Sequence, residues 1–193
     1  MMQGNHLFRL LSGAVLLAAL QTAVIGYQIG ERAHILREGR EILLRTEAVD
    51  PRDLLRGDYV VLSYPISRIP EEKIIGPRPT DGHDVRLHVR VAPEPDGFAV
   101  VAEASFADLP EKPGTVVLTS EPLLYYALPE QGDIIPVHYG IERFYVQEGQ
   151  GKEIEAARNQ GAVTVAVRVS SGGKAQIRQL FVGGTPVYRE PDF

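Results

Sequence analysis

Cysteine is absent from this chain. Its absence excludes disulfides, thiolate nucleophiles and cysteine-ligated metals, and by itself assigns no compartment. Lysine is scarce, at Lys73, Lys112, Lys152 and Lys174 only, and no block of basic residues occurs anywhere. A nucleic-acid binder needs a basic surface, so nucleic acid is not expected as a partner. No serine stands in a G-x-S-x-G nucleophile pattern. His83 and His88 lie five apart, whereas ligands on one strand face lie two or four apart, so no metal is expected there, and no cofactor. Long helices are excluded from the middle of the chain by proline, twelve of whose fourteen copies fall between Pro51 and Pro136.

Charge is missing altogether from residues 10–30, LLSGAVLLAALQTAVIGYQIG. As a helix this stretch rises about 31 Å, the thickness of a bilayer's hydrocarbon core. Arg9 closes it on one side, and Glu31 and Arg32 on the other. A cleaved secretory signal has a shorter apolar region and a small-x-small site, which Gly26 to Gly30 does not form. The expected organisation is therefore a tail over 1–9, a transmembrane anchor over 10–30, a polar stalk over 31–40 and a soluble head over 41–193. All 25 acidic residues and 19 of the 20 basic ones follow the anchor, which leaves the stalk and head together at −6. The lipid bilayer is the first expected partner. Arg32, Arg37, Arg40 and Arg45 are interleaved with Glu31, Glu38 and Glu41, so charge alone does not choose a side of the membrane.

Asp84 to Val91 alternates, with apolar residues at 85, 87, 89 and 91, and predicts a strand with one buried face. Phe98 to Phe106 follows a Pro/Gly-rich turn and completes a hairpin. A second hairpin is expected from residues 163–169 and 175–182, around a turn at Ser170 to Gly173. Further strands are expected over 42–47, 59–64, 115–119, 134–138 and 143–147. The one convincing helix after residue 45 is Lys152 to Asn159, ended by Gly161. The fold class is mainly β: a single transmembrane helix followed by one antiparallel barrel or sandwich-like domain with one short helix.

Two polar clusters are candidate sites. The first is Asp50, Arg52, Asp53, Arg56, Gly57 and Asp58, leading into Tyr59, Leu62 and Tyr64. Its carboxylates offer acid–base chemistry or a hard cation, but 50, 53 and 58 are spaced too widely for a cation loop, and a salt-bridged turn entering a strand accounts for them. The second is His138, Tyr139, Glu142, Arg143, Tyr145 and Glu148. A His with a Glu can form a general base, and the group could equally line a groove or a charged strand edge. Arg143, Tyr145 and Gln147 share one face of the expected strand, with Phe144 and Val146 on the other.

Gly57-Asp58-Tyr59-Val60-Val61-Leu62-Ser63-Tyr64 agrees at all five fixed positions with G-D-Y-x-x-L-x-Y. The chain here resembles the GDYXXLXY family, as do V-D-P-R-D-L-L-R-G before the motif and Tyr139 to Lys152 with Glu155 after it. The resemblance implies a bacterial, membrane-anchored protein with its head outside the cytoplasmic membrane and multi-pass membrane proteins as associates. It carries over no activity and no catalytic residue. The function expected is a non-enzymatic component of an envelope complex. The alternative is a ligand-binding or hydrolytic domain that joins the Asp50/Asp53/Asp58 turn to the His138–Glu148 face.

Overall fold

The computed structural model describes residues 2–49, 59–126, 134–146 and 151–191. The uncharged stretch forms part of one continuous helix, α1 (Met2–Glu38). From Leu11 onward it is apolar and long enough to cross a membrane, and that part has its apolar side chains exposed. The helix continues through the charged segment expected to be a stalk. There one side turns inward: Ile35 and Leu36 are buried while Arg32, His34, Arg37 and Glu38 stay exposed, and the last turns pack on the domain. Gly39 ends it, its N–H bonding back to the Ile35 carbonyl.

Among the described residues the head has thirteen strands. These are β1 (Arg40–Arg45), β2 (Tyr59–Val61), β3 (Arg68–Pro70), β4 (Asp81–Val85), β5 (His88–Pro93), β6 (Ala99–Ser105), β7 (Val116–Thr119), β8 (Leu123–Tyr126), β9 (Ile134–Pro136), β10 (Arg143–Tyr145), β11 (Val163–Val169), β12 (Ala175–Val182) and β13 (Thr185–Arg189). A second helix, α2 (Gly151–Asn159), precedes β11 and ends at Gly161, whose N–H bonds to the Arg158 carbonyl. The sheets are open and antiparallel. The largest runs β1-β11-β12-β13, a three-stranded sheet runs β6-β5-β7, and β10-β2, β3-β9 and β4-β8 are pairs. Among the described residues no barrel closes. The fold is mainly β, and a layered sandwich describes it better than a barrel.

One apolar cluster joins the sheets, including Val60, Leu62 and Tyr64 from the middle of the chain, Val89 and Leu118 from the three-stranded sheet, and Val165, Val167 and Leu180 from the four-stranded one. The alternation in residues 163–169 places its valines inward, as period two requires. The expected strand Asp84–Val91 is broken in two. Asp84 has φ +58°, and the β4–β8 register slips between Gly82 and Val85. The chain thereby leaves one partner, β8, and turns to pair with β6 and β7 instead. Leu87 bridges the break, fully buried, with its N–H on the Ser120 hydroxyl and its carbonyl accepting the Ser120 N–H.

The β11–β12 turn depends on one glycine. Gly173 has φ +81°, and a Cβ there would lie 2.8 Å from the Thr119 backbone nitrogen, whose N–H bonds to the Gly173 carbonyl. Left-handed geometry costs a side chain about 1 kcal/mol, and a backbone clash adds to it. Gly173→Ala is expected to destabilise the head by about 2 kcal/mol. A Gly97→Ala control carries the same φ penalty (φ +87°) but meets no atom. Thermal unfolding of the two variants side by side checks this, and equal shifts would remove the clash from the account.

Candidate functional site

Residues 59–70 and 134–145 run antiparallel along their whole length in one register. Tyr59 faces Tyr145 and Val61 faces Arg143 at one end. Arg68 faces Pro136 and Pro70 faces Ile134 at the other. The same register holds between them, where the Leu62 N–H bonds to the Glu142 carbonyl at 2.8 Å and the Val137 N–H to the Ser67 carbonyl at 2.9 Å. Between these two bonds the ladder opens. Pro65 has no N–H to give, and Pro65–Ser67 coils into a single 3-10 turn.

Two tyrosines close the gap. The Tyr64 hydroxyl donates to the Ile141 carbonyl, and the Tyr139 hydroxyl donates to the Ile66 carbonyl, each at 2.7 Å. Each strand thus sends one phenol across to a main-chain acceptor on the other, where backbone N–H groups cannot reach. Both rings are buried, Tyr64 completely. Burial, and next the nearby Glu142 charge, push both phenols well above the ordinary tyrosine pKa. They therefore stay protonated, as donors, beyond the pH at which an ordinary tyrosine ionises.

Glu142 serves the same turn. Its Oε1 accepts the Tyr139 N–H at 2.7 Å and lies 4.0 Å from His138 Nδ1. The His138 side chain is 68% exposed and stands outside the core. Gly140, at φ +78°, supplies the left-handed residue between them. The expected His–Glu pair is thus a turn brace with a loosely attached histidine.

On the outer face the strand alternation reads as expected. Phe144 is buried, while Arg143 and Tyr145 are exposed. Tyr59 packs against Tyr145 with ring centroids 5.9 Å apart, and the Arg143 guanidinium lies 5.8 Å from the Tyr59 ring. Leu62, like Tyr64, points into the core. Asp50, Arg52, Asp53, Arg56, Gly57, Asp58 and Glu148 lie outside the described residues. Among the described residues no three His, Asp or Glu side chains gather as a metal site would need.

A cleft of about 380 Å³ opens beside β10. Its walls include Arg143 and Tyr145 from the second sequence cluster, and also Arg32, Gln176, Tyr188 and Glu190, which sequence reasoning did not single out. The Arg32 guanidinium pairs with Glu190 Oε1, and the Tyr188 hydroxyl donates to Glu190 Oε2 at 2.7 Å. Tyr188 also meets Phe144 edge-on at 4.9 Å. The available signal was Arg32 itself, a cation two residues past the end of the uncharged run. Its partners are set only by tertiary contact.

Residues 21–180 match the family model described as GDYXXLXY protein. No curated protein and no solved structure matches the chain.

Proposed function

The chain belongs to the GDYXXLXY family, and we propose that it is a membrane-anchored β-domain serving as a non-enzymatic component of a bacterial envelope complex. In this reading α1 crosses the cytoplasmic membrane, the head lies outside it, and the partners are multi-pass membrane proteins. One observation carries the reading: two of the three described fixed positions of the family motif, Leu62 and Tyr64, are consumed by architecture, while Tyr59 packs on the outer face against Tyr145. Leu62 and Tyr64 are core, and the Tyr64 hydroxyl is committed to a backbone carbonyl, as is that of its counterpart Tyr139. A phenol held as a donor by burial is poorly placed to act as base or nucleophile.

The exposed apolar helix supports the anchor. Its lipid-length segment carries no soluble-domain packing, and its last turns are clamped to the head through Ile35, Leu36 and two ion pairs, Glu31–Lys174 and Arg32–Glu190. A head docked on its anchor suits a subunit that is held in place, since a freely tethered enzyme needs no such contacts. The test is purification of the full chain from its native membrane in mild detergent, with identification of co-purifying proteins. Stoichiometric recovery of one or more multi-pass membrane proteins is expected. A chain that migrates alone at native expression overturns the proposal.

A further inference from the structure

The clamp between α1 and the head also sets which edge of the head meets the membrane. Arg32 reaches Glu190, just past β13, and seven residues later Gly39 lies against the backbone of Val169 in β11. Seven helical residues advance about 10 Å, and two strand spacings are also about 10 Å. The last turns of the helix therefore lie across the four-stranded sheet on β11 and β12, and the side of the sheet facing the apolar segment holds both Lys174, just before β12, on Glu31 and Glu190, just past β13, on Arg32. All five residues of β13 are exposed, including Val187 and Tyr188. The headgroup layer is about 6 Å deep on each side of the hydrocarbon. Arg32, two residues past the uncharged run, lies in that layer, and the cleft it lines opens there too.

We propose that this cleft seats the phosphate of a phospholipid headgroup from the leaflet beneath the head. The assignment rests on the reading of α1 as a membrane anchor. Arg143 supplies the charge. Glu190 is already matched by Arg32 and Tyr188, whereas among the described residues no carboxylate is within ion-pair distance of Arg143, whose neighbour is the Tyr59 ring. Tyr145 and Tyr188 also line the cleft, each a ring with one polar tip, a residue type suited to the membrane–water boundary. Free phosphate carries the same chemistry, but the cleft is built partly from the anchor helix, which holds it at lipid and not in bulk water.

The chain contains no tryptophan, so single tryptophans report depth without background. Full-length Tyr188→Trp, Tyr27→Trp and Phe98→Trp are each placed in nanodiscs of phosphatidylcholine and phosphatidylglycerol brominated on the acyl chains. Phe98 bridges Leu43 of β1, the strand that begins where α1 ends, away from the apolar segment. Bromine quenching is expected at positions 27 and 188 and not at 98. Near a membrane surface one arginine is worth about 1 kcal/mol, so adding Arg143→Ala to Tyr188→Trp should lower the seated-to-lifted ratio about fivefold. Quenching at 27 without quenching at 188 overturns the seat and leaves the anchor standing. An unquenched position 27 overturns the anchor, and the seat with it. Relief of quenching at 188 by inorganic phosphate overturns the lipid assignment in favour of the free anion.

Discussion

Tyr64→Ala is expected to cost the head about 3–5 kcal/mol, the range for removing a large buried ring from a packed core. The ring is fully buried in the central cluster, so its loss leaves a cavity beside Leu62 and Ile66 rather than a surface that water can fill. The hydroxyl adds a second penalty, because the Ile141 carbonyl loses its donor. Tyr64→Phe isolates that part and should cost about 1–2 kcal/mol. Against a total stability of about 5–15 kcal/mol, the alanine variant forfeits a large share. The two hydroxyl bridges span one gap, so Tyr64→Phe and Tyr139→Phe should not add. Once one bridge is gone the strands part at the 3-10 turn, and the second is worth less, with a coupling of about 0.5–1 kcal/mol. Urea unfolding in mild detergent, followed by the β-sheet circular dichroism signal, measures all four. A Tyr64→Ala loss below about 1 kcal/mol, no more than an average point mutation, would sink the structural reading of the motif.

That reading was only half legible in the sequence. Val60, Leu62 and Tyr64 alternate, and their alternation alone places them on one buried face. The partner segment was legible too, since Phe144 alternates with Arg143 and Tyr145. Their register was not, because it is set between segments some 75 residues apart and interrupted by Pro65, and no local pattern encodes such a pairing. The same holds for the hairpin strands. Residues 163–169 and 175–182 were readable because a short turn makes their pairing local. The strand β13, T-P-V-Y-R, was missed because Pro186 argues against a strand and no buried face imposes alternation on an exposed edge. Asp84 looked like one more polar position in an alternating run, and only its positive φ reveals the change of partners. The cleft was illegible for a different reason. It draws Arg32 from α1, Arg143 from the middle and Tyr188 from the C-terminal strand. Each has an ordinary local explanation, and only the docking of α1 on the large sheet brings them together.

The buried phenols make a second strong prediction, that the head unfolds in alkali with a slope set by two residues. Tyr64 and Tyr139 are held above their ordinary pKa, first by burial and then by the Glu142 charge. In the unfolded chain both ionise near pH 10. Below pH 10 both states are protonated and the full stability is present. Above it the unfolded state binds fewer protons than the folded one, so stability falls as pH rises, by about 1.4 kcal/mol per unit for each tyrosine. Together they remove about 4 kcal/mol by pH 11.5. Tyr188, raised chiefly by its hydrogen bond to Glu190, shifts in the same direction but is exposed, and water screens its contribution. The Tyr64→Phe/Tyr139→Phe pair carries no phenol to ionise at these positions and should lack the steep slope. It starts less stable at pH 8, by about 2–3 kcal/mol for two lost hydrogen bonds. The two stability curves must therefore converge, and then cross, between pH 10 and about pH 11.5. Parallel curves would mean that the phenols ionise in place without loss of structure. The hydroxyl bridges could then not be what holds residues 59–70 against 134–145.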